Sequence, residues 1–316
     1  MICGADYLHL HGELDIGHRH SYSVCLVGHV SWDVLRLAGR DDNTMLGGVV
    51  YYAGRVFERL GLDIAIITKA AKKDLTEISE QLQGETVTLR CLDGERTTVI
   101  ENRYLGTDLS IRRQKVRSIA DAFEVPDLAG IKAKTFHLGP LTRGEMSLDF
   151  LKAVSDRCER LFLDVQGLLR EVKNQSVRLV DWPDKRNGLA YVDVLKANRE
   201  EAVILSGEED PEHAARKISA LGPGEVVITL GGEGTLILAN GRLHRISPIA
   251  PSAVVDPTGV GDTYSAGYIY YRLGSEDVEA AGRFAAELAS RKLEHCGAYA
   301  GSAHEVQALL HRFERT

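Results

Sequence analysis

Apolar and polar positions along the 316-residue chain follow two periods, one typical of buried strands and one typical of helices. An apolar run covers residues 23–28, a helical pattern runs from Gly47 to Leu60, and a second apolar run covers residues 64–68. Further strands are predicted at residues 135–138, 160–165, 192–196, 225–229, 235–239 and 242–246, and helices at residues 143–157, 199–206, 211–221, 261–273, 276–294 and 303–314. Strands that alternate with helices predict an α/β fold, with a mainly parallel sheet flanked by helices on both faces. Ligands of such sheets bind beyond the carboxyl ends of the strands.

Residues 85–105 depart from this order. Residues 85–90 alternate polar and apolar side chains, Asp93-Gly94 predicts a turn, and residues 97–101 have the composition of another strand. The segment is therefore predicted to be a β-hairpin with one solvated face, forming a small lid. We expect one domain over residues 22–316 with this lid, preceded by an N-terminal extension of residues 1–21.

Composition and charge narrow the class of protein. The net charge of −7 argues against a general nucleic-acid or membrane-surface binder. The five cysteines are scattered without a CxxC pair, as expected for reduced thiols in a cytoplasmic protein. Apolar runs are too short to span a bilayer, and the N-terminus lacks the pattern of a signal peptide. Four of the 11 histidines lie in the first twenty residues, where we expect a polar extension, the alternative being a transition-metal site.

The strongest candidate for chemistry is the run Asp-Pro-Thr-Gly-Val-Gly-Asp at residues 256–262, between an apolar segment predicted as a strand and a predicted helix. Its glycines let the backbone approach a ligand, and a helix that begins there directs N–H groups toward an anion. Asp262 at the same point suits a base that takes a proton from a hydroxyl attacking a phosphate. The backbone N–H groups of Gly259, Val260 and Gly261 would stabilise the transferred group. The alternative for Asp262 is a carboxylate favoured only by the helix dipole.

This run resembles the C-terminal signature of the ribokinase/PfkB carbohydrate kinases, in which Ala is usual at the position of Val260. Other motifs of that family follow in order between residues 22 and 312, and the chain contains no Gly-x-x-x-x-Gly-Lys-Ser/Thr phosphate loop. The resemblance implies a ribokinase-like fold, ATP and Mg²⁺ as cofactors, and a small sugar or polyol as the partner. It also places Thr258 in the ATP site.

Two N-terminal motifs are similar to the family's acceptor site. Gly47-Gly48 followed by Tyr52 resembles a glycine motif whose backbone N–H groups meet substrate hydroxyls, the alternative being a tight turn into a helix. Tyr52 stands where many sugar kinases carry Asn. Asp33 follows the first strand, where the family places a carboxylate that holds two substrate hydroxyls, the alternative being an N-cap or a surface residue.

Two later motifs are similar to the family's ATP site. Asn198 and Glu201 match an Asn-x-x-Glu element that organises Mg²⁺ through water, although the same spacing also makes a helix capping box. The loop that begins at Thr229 resembles the nucleotide loop, whose glycines approach the phosphates and ribose. Its glycines are Gly231, Gly232 and Gly234.

Residues 163–170, which include Gln166, and residues 101–104, which include Arg103, look similar to plant-type myo-inositol kinases within this family. This implies myo-inositol as the acceptor, although Arg103 could instead bind a phosphate on the substrate. Another sugar, a sugar phosphate or a nucleoside is the alternative acceptor, and a catalytically inactive regulatory protein is the alternative of another class. Since lids of this family often pair two subunits, a homodimer through the lid is expected.

Overall fold

The computed structural model describes residues 21–36, 43–104 and 112–314, so nearly all of the expected N-terminal extension falls outside the described residues. The strands are β1 (Tyr22–Val27), β2 (Ser31–Arg36), β3 (Asn43–Gly47), β4 (Ile64–Ala71), β5 (Val87–Gly94), β6 (Thr98–Tyr104), β7 (Arg112–Ser118), β8 (Ala133–Leu138), β9 (Arg160–Asp164), β10 (Arg170–Lys173), β11 (Ser176–Leu179), β12 (Val194–Asn198), β13 (Glu225–Thr229), β14 (Thr235–Ala239) and β15 (Arg242–Ile246). The α-helices are α1 (Val49–Arg59), α2 (Leu75–Leu82), α3 (Leu148–Ser155), α4 (Gln166–Leu169), α5 (Lys185–Gly188), α6 (Arg199–Ser206), α7 (Pro211–Ser219), α8 (Val260–Arg272), α9 (Val278–Leu293) and α10 (Ala303–Glu314).

The main sheet runs in the order β15-β14-β13-β12-β9-β8-β1-β4-β5 through the described part of the chain. Its pairings are parallel from β5 to β13, and β14 and β15 extend it as antiparallel strands. The predicted α/β class with a mainly parallel sheet is confirmed. The predicted hairpin of residues 235–239 and 242–246 is also confirmed, with the same boundaries.

Both faces of the main sheet are buried, which explains its nearly continuous apolar strands. In β1, Val24 and Leu26 pack into one core cluster with α1, α8 and α9. Cys25 and Val27 point to the opposite face, where they pack into a second cluster with α3, α6 and α7. Because side chains alternate across a strand, one strand serves two cores. Among the described helices, none is long and apolar enough to cross a membrane.

A second sheet, in the order β10-β11-β7-β6-β2-β3, corrects the predicted lid. The hairpin over residues 85–105 is wrong, because its two strands belong to different sheets. The first, β5, pairs in parallel with β4 at the edge of the main sheet. The second, β6, lies between β2 and β7 in the second sheet. An alternating pattern specifies a strand with one buried face but not its partner, and these partners are distant in sequence.

Two other local predictions are wrong. Residues 253–255 form no strand before the 256–262 run, and their backbone is irregular, with Val254 and Val255 exposed. The helix predicted at residues 143–157 is limited to α3, because Ser147 caps its first turn through the backbone N–H of Phe150. Asp33 follows the first strand as predicted, and it lies within β2.

Candidate active site

A cavity of about 330 Å³ lies between the carboxyl ends of the main-sheet strands, the second sheet and the N-terminus of α8. Strands β12 and β13 end at its wall, at Asn198 and Thr229, and Gln166 follows the end of β9. This is the expected ligand position for a parallel sheet. The cavity is lined by Ser31, Asp33, Gly48, Val49, Tyr52, Ile100, Asn102, Gln114, Leu141, Gln166, Arg170, Lys196, Asn198, Glu201, Thr229, Gly231, Pro257, Thr258, Gly259, Gly261 and Asp262.

The structure therefore brings together most of the side chains that the sequence singles out, although they lie up to about 230 positions apart in the chain. Five of the predicted site residues are not in the cavity wall: Gly47, Arg103, Val260, Gly232 and Gly234. Val260 packs against the core at the first position of α8.

The loop before α8 is shaped by one glycine and one carboxylate. Gly259 has φ +74° at the N-cap of α8, and a side chain there would collide with the ring of Tyr52. Asp256 accepts a hydrogen bond from the backbone N–H of Thr258 at 2.9 Å, which closes the preceding turn. The first N–H groups of α8 have no carbonyl within their own helix to bond, so they are available to a ligand at the cavity. An anion is favoured there by the helix dipole as well.

Asp262 stands in the first turn of α8 and borders the cavity. Burial and the negative charge of Asp164 raise its pKa to about 7, although Lys196 and Arg170 act in the opposite direction. A carboxylate with a pKa near 7 accepts a proton far more readily than one at its ordinary value near 4. The pKa of the Asp262 carboxyl therefore lies near neutral pH.

Lys196 places a positive charge beside this helix N-terminus. It is buried on β12, and its Nζ lies 2.9 Å from the Oδ2 of Asp164. Burial alone would lower the pKa of Lys196, but the charges of Asp164, Glu201 and Asp262 outweigh it and hold the pKa above its ordinary value. A Cβ built on Gly261 would lie 3.0 Å from this Nζ, which is tighter than an ordinary contact, so a larger residue there would displace the ammonium.

Asn198 and Glu201 form the capping box that their spacing predicts. The side chain of Asn198 accepts from the backbone N–H of Glu201 at 2.9 Å, and Glu201 accepts from the backbone N–H of Asn198 at 2.8 Å. Both residues also border the cavity, so the structural and the functional interpretations are compatible. Burial raises the pKa of Glu201. Their amide and carboxylate oxygens are ligands that suit Mg²⁺ with intervening water.

Only two of the four site residues predicted in the loop that begins at Thr229 border the cavity. Thr229 and Gly231 border the cavity, and Gly232 and Gly234 do not. Gly234 has φ +93°, and a side chain there would collide with the carbonyl oxygen of Ile246. It is thus required by the turn into β14, and its place in the sequence pattern does not by itself make it a ligand-binding residue.

The opposite wall comes from β2 and the start of α1. Asp33 accepts a hydrogen bond from the hydroxyl of Ser31 at 2.7 Å, and both side chains border the cavity. Gly47 lies behind Asp33, since a Cβ at Gly47 would come within 2.7 Å of that carboxylate. Gly48 is the N-cap of α1 and borders the cavity itself. The hydroxyl of Tyr52 is buried without a hydrogen-bond partner in the described part of the chain, which leaves it available to a ligand.

Strand β6 corrects the prediction for Arg103. Arg103 is exposed and does not border the cavity, whereas its neighbour Asn102 is buried in the cavity wall. Side chains alternate across a strand, so only one of two successive residues can face the site. Asn102 accepts a hydrogen bond from the side-chain amide of Gln114 on β7 at 2.8 Å. The charged group expected here is replaced by a pair of neutral amides.

Five polar or charged cavity residues were missed by the sequence patterns: Ser31, Asn102, Gln114, Arg170 and Lys196. A signal existed for Lys196, which precedes Asn198 by two positions and lies at the end of a buried strand. A signal also existed for Arg170, which closes the segment that contains Gln166. Asn102 lies in the 101–104 segment, but whether Asn102 or Arg103 faces the cavity depends on long-range strand pairing, and Ser31 and Gln114 had no signal of their own.

Comparisons with known proteins identify a matching family and similar solved structures. The model of the pfkB family of carbohydrate kinases matches residues 58–305. A solved pyrophosphate-dependent kinase in the ribokinase family, complexed with a pyrophosphate analog and myo-inositol, is 29% identical with a TM-score of 0.81, over 90% of this chain and 99% of that chain.

Two curated relatives match over most of this chain. The cytidine kinase of Thermococcus kodakarensis is 27% identical over 285 residues, which is 86% of this chain and 96% of that protein. The inositol 3-kinase of Oryza sativa subsp. japonica is 25% identical over 280 residues, which is 82% of this chain and 66% of that protein. Because the family model covers well over half of the sequence, this chain belongs to the pfkB family of carbohydrate kinases.

Proposed function

We propose that this kinase transfers a terminal phosphoryl group to a hydroxyl of a neutral polyol, with myo-inositol as the best candidate and Asp262 as the base. The observation that carries the proposal is the position of Asp262, with its pKa near 7, in the first turn of a helix whose N-terminal residues Gly259 and Gly261 line the same cavity. Proton acceptor and anion-binding groups then meet at one point, as transfer from a phosphate donor to an alcohol requires.

In the proposed reaction, Asp262 takes the proton of the acceptor hydroxyl as its oxygen bonds to the terminal phosphorus of the donor. The bond from that phosphorus to the bridging oxygen breaks, and the shortened phosphate leaves with the electron pair. Backbone N–H groups of Gly259, Val260 and Gly261 stabilise the negative charge on the transferred group. The ammonium of Lys196 adds a fixed positive charge beside them.

Asn198 and Glu201 are the residues proposed to hold Mg²⁺ through water, because their oxygens border the donor side of the cavity. When bound, the metal neutralises phosphate charge and orients the donor. Thr229, Gly231 and Thr258 complete the proposed donor site, since they line the same wall.

The acceptor wall supports an uncharged polyol. It presents Asp33, which can accept from two hydroxyls, together with Asn102, Gln114 and Gln166, whose amides both donate and accept. Among the described residues that line the cavity, Arg170 is the one that carries a guanidinium, and it contributes positive potential at Asp262, whereas Arg103 is exposed outside the cavity. The negative charge of a sugar phosphate would thus be repelled by Asp33, with little positive charge on the acceptor wall to offset it. The solved relative that binds myo-inositol and the inositol 3-kinase relative favour the same acceptor.

The donor is proposed to be a polyphosphate, with ATP and pyrophosphate as its two possible sources. ATP is what the sequence motifs imply, whereas the solved relative at a TM-score of 0.81 is pyrophosphate-dependent. Both donors present a terminal phosphoryl group that the same glycines would bind. The experiment below therefore includes both.

The test is a product assay on purified protein with Mg²⁺, using ATP or pyrophosphate against myo-inositol, ribose, fructose, fructose phosphates and cytidine. We expect phosphorylated myo-inositol with one of the two donors, and a loss of about 10³-fold or more in Asp262→Asn, which keeps the shape but not the base. Cytidine tests the second acceptor class, which the cytidine kinase relative favours. Transfer to cytidine or fructose phosphate but not to myo-inositol would refute the polyol assignment. Equal rates for Asp262→Asn and the unmodified enzyme would refute the role of the base.

A further inference from the structure

Lys292, near the end of α9, is a completely buried ammonium surrounded by oxygen atoms. Its Nζ donates to the carbonyl oxygen of Asp256 at 2.9 Å and to that of His295 at 3.3 Å. The Oδ2 of Asp256 lies 3.2 Å from the same nitrogen. Burying a charge is costly unless it is paired and hydrogen-bonded, and three oxygens meet that requirement here.

These contacts fasten the loop that leads into α8. Asp256 also accepts from the backbone N–H of Thr258 at 2.9 Å and from that of Gly297 at 3.0 Å. The backbone N–H of Val255 donates to the carbonyl of Leu293 at 2.7 Å. The carbonyl of Asp256 lies three residues before Gly259, where the chain turns into the helix. Lys292 is therefore the central contact between the end of α9 and the residues that shape the anion-binding turn.

We propose that Lys292 is a positioning residue that acts as a built-in monovalent cation beneath this loop. By neutralising the oxygens of Asp256 and His295 at one point, it fixes the backbone so that the N–H groups at the start of α8 face the transferred phosphoryl group. The inference rests on the proposed phosphoryl transfer at this loop. It implies that the unmodified enzyme needs no free monovalent cation, and that removing the side chain creates an oxygen-lined space that such a cation can fill.

The central variant is Lys292→Ala, assayed in potassium chloride, ammonium chloride or choline chloride at equal ionic strength. We expect kcat to fall about a hundredfold in choline chloride, because a misplacement of about 1 Å at the transferred group has an effect of that size. Potassium or ammonium should restore at least about tenfold of the loss, since either ion can sit among the same oxygens. The unmodified enzyme should be indifferent to the choice of salt.

Two control variants separate positioning from packing. Lys292→Met keeps most of the side-chain volume without the charge, so it should lose activity and show no rescue by either ion. Lys69→Ala removes another buried lysine, whose Nζ contacts the carbonyl of Ala122 at 2.9 Å and Asp127 at 2.7 Å, away from the α8 loop. It should lower the melting temperature without making kcat depend on the cation.

Several outcomes would overturn the inference: unchanged kcat in Lys292→Ala, equal loss in all three salts, rescue of Lys292→Met, or strong potassium activation of the unmodified enzyme. Failure of Lys292→Ala to fold in every salt, judged by circular dichroism, would also count against it. A second readout keeps the test independent of the acceptor. Pyrophosphate should raise the melting temperature of the unmodified protein in choline chloride, and that of Lys292→Ala only when potassium is present. If no acceptor is phosphorylated but this pattern holds, the proposed function fails and the positioning role stands.

Discussion

Asp262 should make the protein less stable at the pH at which it works, and Asp262→Asn should reverse this. In the unfolded chain the carboxyl ionises near its ordinary pKa of 3.8, whereas in the folded protein its pKa is about 7. Between these values the unfolded state releases the proton first, so the free energy of unfolding falls as the pH rises. The penalty is absent below about pH 4 and fully present above about pH 7.

The pKa difference sets the size of the effect. It corresponds to about 4 kcal/mol as an upper bound, at about 1.4 kcal/mol for each pKa unit. Because Asp262 borders the cavity and contacts solvent there, about 2 kcal/mol is a better expectation at pH 8. Asparagine has nearly the same shape and carries no charge, so the variant should be more stable by that amount while losing phosphoryl transfer.

The assay is urea unfolding of both proteins at several pH values between about 4 and 8, with the difference in free energy plotted against pH. The matched control is Asp256→Asn, because hydrogen bonds and Lys292 outweigh burial and lower the pKa of Asp256. That substitution should destabilise the protein at neutral pH, and the difference should vanish as the pH falls. The reasoning is refuted if Asp262→Asn is no more stable than the unmodified protein at pH 8, or if its gain is the same at pH 4.

Four further predictions concern the same cavity. Below about pH 7, kcat/KM should fall about tenfold per pH unit as the base gains its proton, and a flat pH–rate profile would contradict this. Lys196→Met removes the cation that lowers the pKa of the base, so the midpoint of that profile should move to higher pH. Gly259→Ala should lower stability by more than about 2 kcal/mol through its positive φ and the collision with Tyr52, whereas Gly241→Ala, at the same φ but in open space, should cost only about 1 kcal/mol in thermal unfolding. Asp33→Asn should raise the KM for the polyol about tenfold or more and leave that of the donor nearly unchanged, which steady-state kinetics would test.

The homodimer expected through the lid stays a prediction. With the hairpin of residues 85–105 divided between two sheets, the surface that remains for pairing is the second sheet, formed by β2, β3, β6, β7, β10 and β11. Light scattering at micromolar concentration should give twice the mass of one chain. A mass equal to that of one chain would refute the predicted dimer.

Local sequence patterns predicted most strands of the main sheet and the elements that carry Asn198, Glu201 and Asp262. The strand and helix that flank Asn198 and the helix that carries Asp262 depend on short-range periodicity and capping, which are legible in the sequence. The capping box of Asn198 and Glu201 formed with both of its expected hydrogen bonds. The position of these residues within their helices and strands can therefore be predicted from contacts that are local in the sequence.

The second sheet could not be predicted in the same way. Whether Asn102 or Arg103 faces the cavity depends on the register of β6 against β2 and β7, and a shift by one residue exchanges the two. The pKa of Asp262 likewise depends on Asp164, which ends strand β9 and approaches only in the folded protein. Both features arise from long-range packing, so local pattern gives no information on them.

The two walls of the cavity belong to separate parts of the architecture. The proposed base, anion-binding turn and donor residues lie on the main sheet and α8, whereas Ser31, Asp33, Asn102 and Gln114 lie on the second sheet. Substitutions on β2, β6 and β7 can therefore be used to change the acceptor, while the proposed base and donor residues on the main sheet and α8 are kept. The same separation would let natural variants acquire new alcohols through changes in a few strand residues, with Asp33 as the exception, because its charge helps to raise the pKa of Asp262.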